Sequence, residues 1–309
     1  MLILSRSRIR VVILLTLLIG CEAKKELHFE EGIKEINGTQ LYYKILGDGE
    51  PIVVLHGGPG LDHSYFLPQM SELAKSHRLI FFDQRLCGRS SSDVDSNAVS
   101  MNHFVEDLDG IRQAFKLEKM NLMAHSWGGV LAMFYARKYP RNLKSLILVS
   151  TSPGSSELQQ LSAPLLASRI TQEDSLARAE ILHSAAFKRR DASAMSDLFR
   201  IGFRAVFYNR NLIDSLTLQL PPSFAANSAK LRFLFNDLAS YDLHADLARL
   251  TCPVLILHGD SDVIVPGALE KIRDNIRDCR LVTLENCGHF PFIEAPDEFF
   301  REVRDFLGR

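Results

Sequence analysis

Tryptophan occurs once in this chain, at position 127, and cysteine five times, with no Cys-x-x-Cys pair and no histidine cluster. That spacing leaves out the usual metal-binding patterns, so no metal is expected. Charge of one sign is lacking too: the net charge is −1 and the pI about 6.8, which leaves no basic surplus for nucleic acid. No internal repeat is present, so solenoids and arrays are excluded. Long hydrophobic runs are also missing. The longest, Val11 to Ile19, spans only about 14 Å as a helix, short of the roughly 20 residues a bilayer needs.

That short run has informative flanks. Arg6, Arg8 and Arg10 precede it, and Gly20 and Cys21 follow. A positive segment, a short apolar segment and a small residue at the break form an export signal. The segment resembles a bacterial lipoprotein signal over residues 1–21, with Cys21 lipidated as the mature N-terminus. A membrane is then a partner only through that anchor. Residues 22–35, rich in Lys and Glu, read as a tether that overlaps the start of a strand pair at 27–47. The other cysteines, Cys87, Cys252, Cys279 and Cys287, read as small buried hydrophobes.

The most informative stretch is Met120 to Ala132. Apolar Leu122 and Met123 end a strand, small residues stand at Ala124, Gly128 and Gly129, and a helical run follows. A serine between a buried strand and a helix, flanked by small residues, is a nucleophile elbow: the sharp turn leaves no room for bulk two residues away and exposes the Ser126 hydroxyl. Ala124 takes the place of the first glycine of Gly-x-Ser-x-Gly.

A hydrolytic serine needs a base, an acid to orient it and donors for an oxyanion. The apolar strand at 51–56 runs into His56-Gly-Gly-Pro-Gly60, whose glycines let the backbone approach a substrate closely. The Gly58 and Trp127 amides are the candidate oxyanion donors, each worth about 3–4 kcal/mol of transition-state stabilisation. Asp262 follows the strand at 253–258, and His289 lies on the loop after the strand at 280–284. Ser126, Asp262 and His289 stand in the chain order of one triad lineage, distinct from those of chymotrypsin and subtilisin. Asp260 competes for the acid's role. His56 and His125 read as structural, Asp83 and Arg85 as an internal ion pair and loop brace, and Glu294 as a helix-terminus or structural carboxylate.

Together these strings make the chain similar to the α/β-hydrolases, and within them to the proline iminopeptidase group of serine peptidases. The likeness rests on His56–Gly60, Asp83–Ser90, His125–Gly129, Gly259–Asp262 with Pro266, and Gly288–Pro291 with Glu294. It covers roughly residues 40 to 150 and 250 to 309. The resemblance implies a mostly parallel eight-stranded sheet flanked by helices, no cofactor, and Asp262 rather than Asp260 as the acid. Leu86 departs from the group, which has Gly there; the expectation is an unstrained backbone at Leu86 and a locally altered loop.

Strand and helix patterns alternate on both sides of residues 152–245, which are helix-like throughout. The α/β core is expected at 36–151 and 246–309, with a helical lid inserted at 152–245 after the sixth parallel-type strand. Helices are expected near 64–75, 102–116, 127–139, 267–278 and 297–307. An aminopeptidase needs carboxylates for the substrate ammonium. The lid offers Glu157, Glu173, Glu180, Asp174, Asp191, Asp197, Asp214, Asp237 and Asp242 without an acidic bias. The expected substrate is a small peptide, with a small ester or lactone as the alternative. A noncatalytic binding protein is a remote third reading.

Overall fold

In the computed structural model, residues 27–308 are described. Their eight strands form one sheet in the order β1-β2-β4-β3-β5-β6-β7-β8. The strands are β1 (Phe29–Ile36), β2 (Thr39–Leu46), β3 (Glu50–Leu55), β4 (His77–Phe82), β5 (Met120–His125), β6 (Leu143–Val149), β7 (Val254–Gly259) and β8 (Cys279–Leu284). The β1–β2 and β2–β4 pairs are antiparallel and every other pair is parallel. β5 is buried along its whole length and β3 from Ile52 to Leu55, as strands covered on both faces must be.

The β1–β2 turn uses Asn37 and Gly38, both at positive φ (49° and 71°), the geometry an Asn-Gly hairpin demands. β1 begins at Phe29, so residues 29–35 belong to the strand pair expected over 27–47 and not to the tether expected over 22–35. Glu30, Glu31 and Glu35 are exposed and Lys34 is half-buried over Tyr43, and charge is how an edge strand avoids pairing with another chain.

The flanking helices include α1 (Met101–Ala114), α2 (Trp127–Lys138) and the C-terminal helix Pro296–Leu307. The single helix expected over 64–75 is instead two 3-10 turns, His63–Phe66 and Gln69–Lys75. Pro68 causes the break: it has no N–H to donate, and it drives Leu67 to extended backbone (ψ 144°).

Between β6 and β7 every named element is helical, beginning with α3 (Ser156–Ser168) and α4 (Gln172–His183). The insertion follows the sixth strand of the chain, which is the fourth of the parallel set. Its two ends are stapled together: Leu243 N–H donates to Gly154 O at 2.9 Å, and Ser155 bridges Asp242. Further bonds hold it on the core. Lys230 Nζ donates to the carbonyls of Ser92 and Val94, and Thr217 Oγ1 to that of Leu67.

Candidate active site

Ser126 joins β5 to α2 with φ 57° and ψ −121°, a conformation few L-residues adopt and one that persists only where surroundings enforce it. The packing shows why its neighbours are small. A Cβ on Gly128 would lie 2.8 Å from His56 O, and one on Gly129 would lie 2.0 Å from Thr151 Oγ1. Ala124 is fully buried, so one methyl is tolerated on the strand side.

The parallel sheet brings the loops after β5, β7 and β8 to one edge. There Ser126 Oγ lies 2.9 Å from His289 Nε2, and His289 Nδ1 lies 2.9 and 3.0 Å from the two carboxylate oxygens of Asp262. The Asp262 carboxylate is fully buried. Burial alone would raise its pKa, but the charge and hydrogen bond of His289 hold it below the ordinary carboxylate value. For His289 burial works downward, and the charge and hydrogen bond of Asp262, with the charge of Glu294, outweigh it to leave the imidazole more basic than usual. His258 stands 3.7 Å from Asp262 as a second, more distant imidazole.

Asp260 lies elsewhere. It accepts from the amides of Asn286 and Cys287, bracing the loop that carries His289. Glu294 braces the same loop from the other side, accepting from Gly288 N–H at 3.0 Å and from the lid amide of Tyr208 at 2.7 Å. The lid also grips the loop that carries Asp262: Ser162 Oγ accepts from Val265 N–H at 3.0 Å, and the Arg169 guanidinium donates to Ser261 O. None of these lid contacts was foreseen, because nothing in a helical segment's pattern says which polar side chain faces the core.

Gly58 and Trp127, the residue after Ser126, line one cavity of about 250 Å³; Ser126 and His289 themselves are not part of its wall. Trp127 is the first residue of α2, so its amide has no acceptor within the helix. Gln84, to which sequence reading gave no role, clasps the whole corner. Its backbone amide donates to His56 Nε2, its side-chain amide donates to His56 O, and its side-chain oxygen accepts from the Trp127 indole. The signal was its place in the Asp83–Ser90 string.

Two expectations for that string need correction. Asp83 and Arg85 do not pair with each other. Arg85 makes a two-pronged ion pair with Asp107 of α1, 2.7 Å on each prong, while Asp83 accepts from His63 Nδ1 and from two backbone amides. Both residues lie past the end of β4, and the turn closed by Cys87 N–H to Gln84 O carries Arg85 toward α1 while Asp83 stays with His63 and the Arg89 amide. Leu86 is not on unstrained backbone: it keeps a positive φ of 64° although it is not glycine, at the third position of a turn closed by Cys87 N–H to Gln84 O. Among the described residues Asp62, His63 and Asp83 cluster closely enough for a metal ion. The carboxylate oxygens of Asp83 already accept N–H groups, and Asp62 caps Ser64, so the cluster works as a loop brace. Cys87, Cys252 and Cys287 are buried and Cys279 is half-buried, all of them unpaired.

No lid carboxylate lines the cavity. Seven of the nine are exposed, Asp191 pairs with Arg189, and the buried Asp174 is held by Arg210 and by the N-cap of α4. The lining from the lid is Ser152, Ser156, Gln159, Gln160, Phe235, Leu238 and Tyr241, polar or apolar but uncharged.

Residues 50–296 match the family model for the alpha/beta hydrolase fold. The chain belongs to the α/β-hydrolase family. Within it, this hydrolase is 28% identical over 295 residues to a proline iminopeptidase of Heyndrickxia coagulans, covering 90% of this chain and 99% of that one. Among solved structures it is similar to a proline iminopeptidase of Mycobacterium smegmatis, with a TM-score of 0.66 at 22% identity over 90% of this chain and 98% of the other. An esterase of Exiguobacterium antarcticum fits as well, with a TM-score of 0.66 at 23% identity over 91% of this chain and all of the other. At those identities the two structures speak for the fold alone.

Proposed function

We propose that this α/β-hydrolase cleaves a carbonyl substrate by acyl transfer to Ser126. His289 Nε2 takes the hydroxyl proton as Oγ attacks the carbonyl carbon, and Asp262 fixes the imidazole tautomer and offsets its charge. The Gly58 and Trp127 amides receive the oxyanion. His289 then passes the proton to the leaving group, and water repeats the sequence on the acyl-enzyme. The observation that carries the reading is the 2.9 Å contact of Ser126 Oγ with an imidazole already held by a buried carboxylate.

Kinship with proteins named proline iminopeptidase favours release of an N-terminal residue from a small peptide. A second reading, hydrolysis of a small ester or lactone, is favoured by the uncharged cavity lining, which offers no counter-charge to a substrate ammonium. Three substrates separate them: a prolyl amide with a free N-terminus, its N-blocked analogue and a simple acyl ester. The peptidase reading expects turnover of the free amide and rejection of the blocked one. Turnover of the ester and the blocked amide alone favours the second reading, and turnover of none would sink the acyl-transfer proposal. Export and lipidation at Cys21 are also proposed; residues 1–21 lie outside the described residues.

A further inference from the structure

Outside the Ser126, His289 and Asp262 group, buried polar atoms form one continuous hydrogen-bond chain. The Gly57 amide donates to Tyr65 Oη at 2.6 Å, and Tyr65 Oη lies 2.8 Å from His125 Nδ1. The other ring nitrogen, His125 Nε2, lies 2.8 Å from the backbone carbonyl of His289. A carbonyl can only accept, so Nε2 carries the proton and Nδ1 is the acceptor. Tyr65 therefore accepts from Gly57 and donates to His125, and every direction in the chain is fixed. Burial, assisted by the neighbouring charge of His289, drives the pKa of His125 down to about 3, so the ring stays neutral near neutral pH and keeps this arrangement.

The chain ties two loops that share no strand. At one end Gly57 precedes the oxyanion candidate Gly58; at the other is the backbone of the candidate base. Gly57 is wedged between the same groups: a Cβ there would lie 3.1 Å from Ser126 Cβ, 3.2 Å from Tyr65 Oη and 3.4 Å from His125 Nδ1. His289 is held from above as well, its N–H donating to the lid carbonyl of Val206 at 2.9 Å. Tyr65 and His125 are 1% and 2% exposed, so neither can touch a substrate.

We propose that Tyr65 and His125 are a positioning pair that fixes the oxyanion loop relative to His289. Oxyanion donors act only when they stand within hydrogen-bond distance of where charge develops. Loosening the loop therefore weakens binding of the transition state and leaves ground-state binding nearly unchanged. The inference rests on the acyl-transfer reading given above.

The test is Tyr65→Phe, which deletes one hydroxyl and leaves the Gly57 amide and His125 Nδ1 without partners. Active enzyme is counted by fluorophosphonate titration. On that fraction kcat, KM and the affinity for a boronic acid, which forms a tetrahedral adduct, are measured with whichever substrate the wild type turns over. The expected result is a fall in kcat of about tenfold or more, an equal fall in boronate affinity, and KM within about twofold. His125→Gln, whose amide can still donate to the His289 carbonyl, should retain more activity than His125→Phe. Unchanged kcat and boronate affinity with only a lowered melting temperature would overturn the proposal and leave the pair a packing feature. If wild-type Ser126 takes no fluorophosphonate, the acyl-transfer reading fails first, and this proposal with it.

Discussion

At the scale of single residues, the proposed acyl transfer relies on opposite pKa shifts in two titratable groups. His289 must be neutral to accept the Ser126 proton, and Asp262 holds its pKa above the ordinary histidine value. Activity should therefore rise with pH through that raised pKa, placing the acid limb of kcat/KM on the alkaline side of an unperturbed histidine. Asp262→Asn removes the cause of the shift, so its residual activity should show the limb moved to lower pH, with the rate down by about 10⁴-fold. Asp260→Asn should do neither, since Asp260 holds only loop amides; a large loss there with little at Asp262 would exchange their roles. That Ser126, Asp262 and His289 would meet was legible in sequence because each follows a buried apolar strand. The partners of Asp83 and Arg85 were not, because Asp107 and His63 come from other segments and only the fold brings them near.

At the scale of elements, the turn Gln84–Cys87 shows local strain and burial in competition. Holding Leu86 at positive φ costs about 1–2 kcal/mol, while burying its side chain, 2% exposed, contributes about 2–3 kcal/mol. Burial wins, which explains how leucine occupies a glycine position without rebuilding the turn. Urea unfolding should rank wild type above Leu86→Gly, and Leu86→Gly at or above Leu86→Ala. Glycine loses the packing but sheds the strain, whereas alanine loses packing and keeps it. An alanine variant more stable than the glycine one would show that the backbone there is not strained. Strands and the Asn37-Gly38 hairpin were readable from sequence since their pattern is local. The helix expected at 64–75 was misread since its apolar spacing fits a helix while Pro68 breaks the hydrogen-bond ladder.

At the scale of the whole molecule, one sheet gathers residues 126, 262 and 289 at a single edge, and a helical insertion closes over them while gripping the loops of two. The α/β alternation and the break at residue 152 made this plan visible in advance. Which lid residues face inward was not, because amphipathic helices of mixed spacing pack on more than one neighbour. If Cys21 carries lipid, the full chain should stay in the membrane fraction at high salt, since two or more acyl chains anchor stably. Cys21→Ser should leave an unprocessed precursor, and a mature N-terminus elsewhere would remove the lipoprotein reading while leaving export intact.

The central claim, that Ser126 is the nucleophile activated by His289 and Asp262, is tested most directly by fluorophosphonate labelling mapped by mass spectrometry, run on wild type, Ser126→Ala and His289→Ala. The account predicts one adduct, on Ser126, in the wild type, none in Ser126→Ala, and labelling slowed by about 10³-fold or more in His289→Ala. An adduct on another residue, or a His289→Ala enzyme labelled as fast as the wild type, would contradict it.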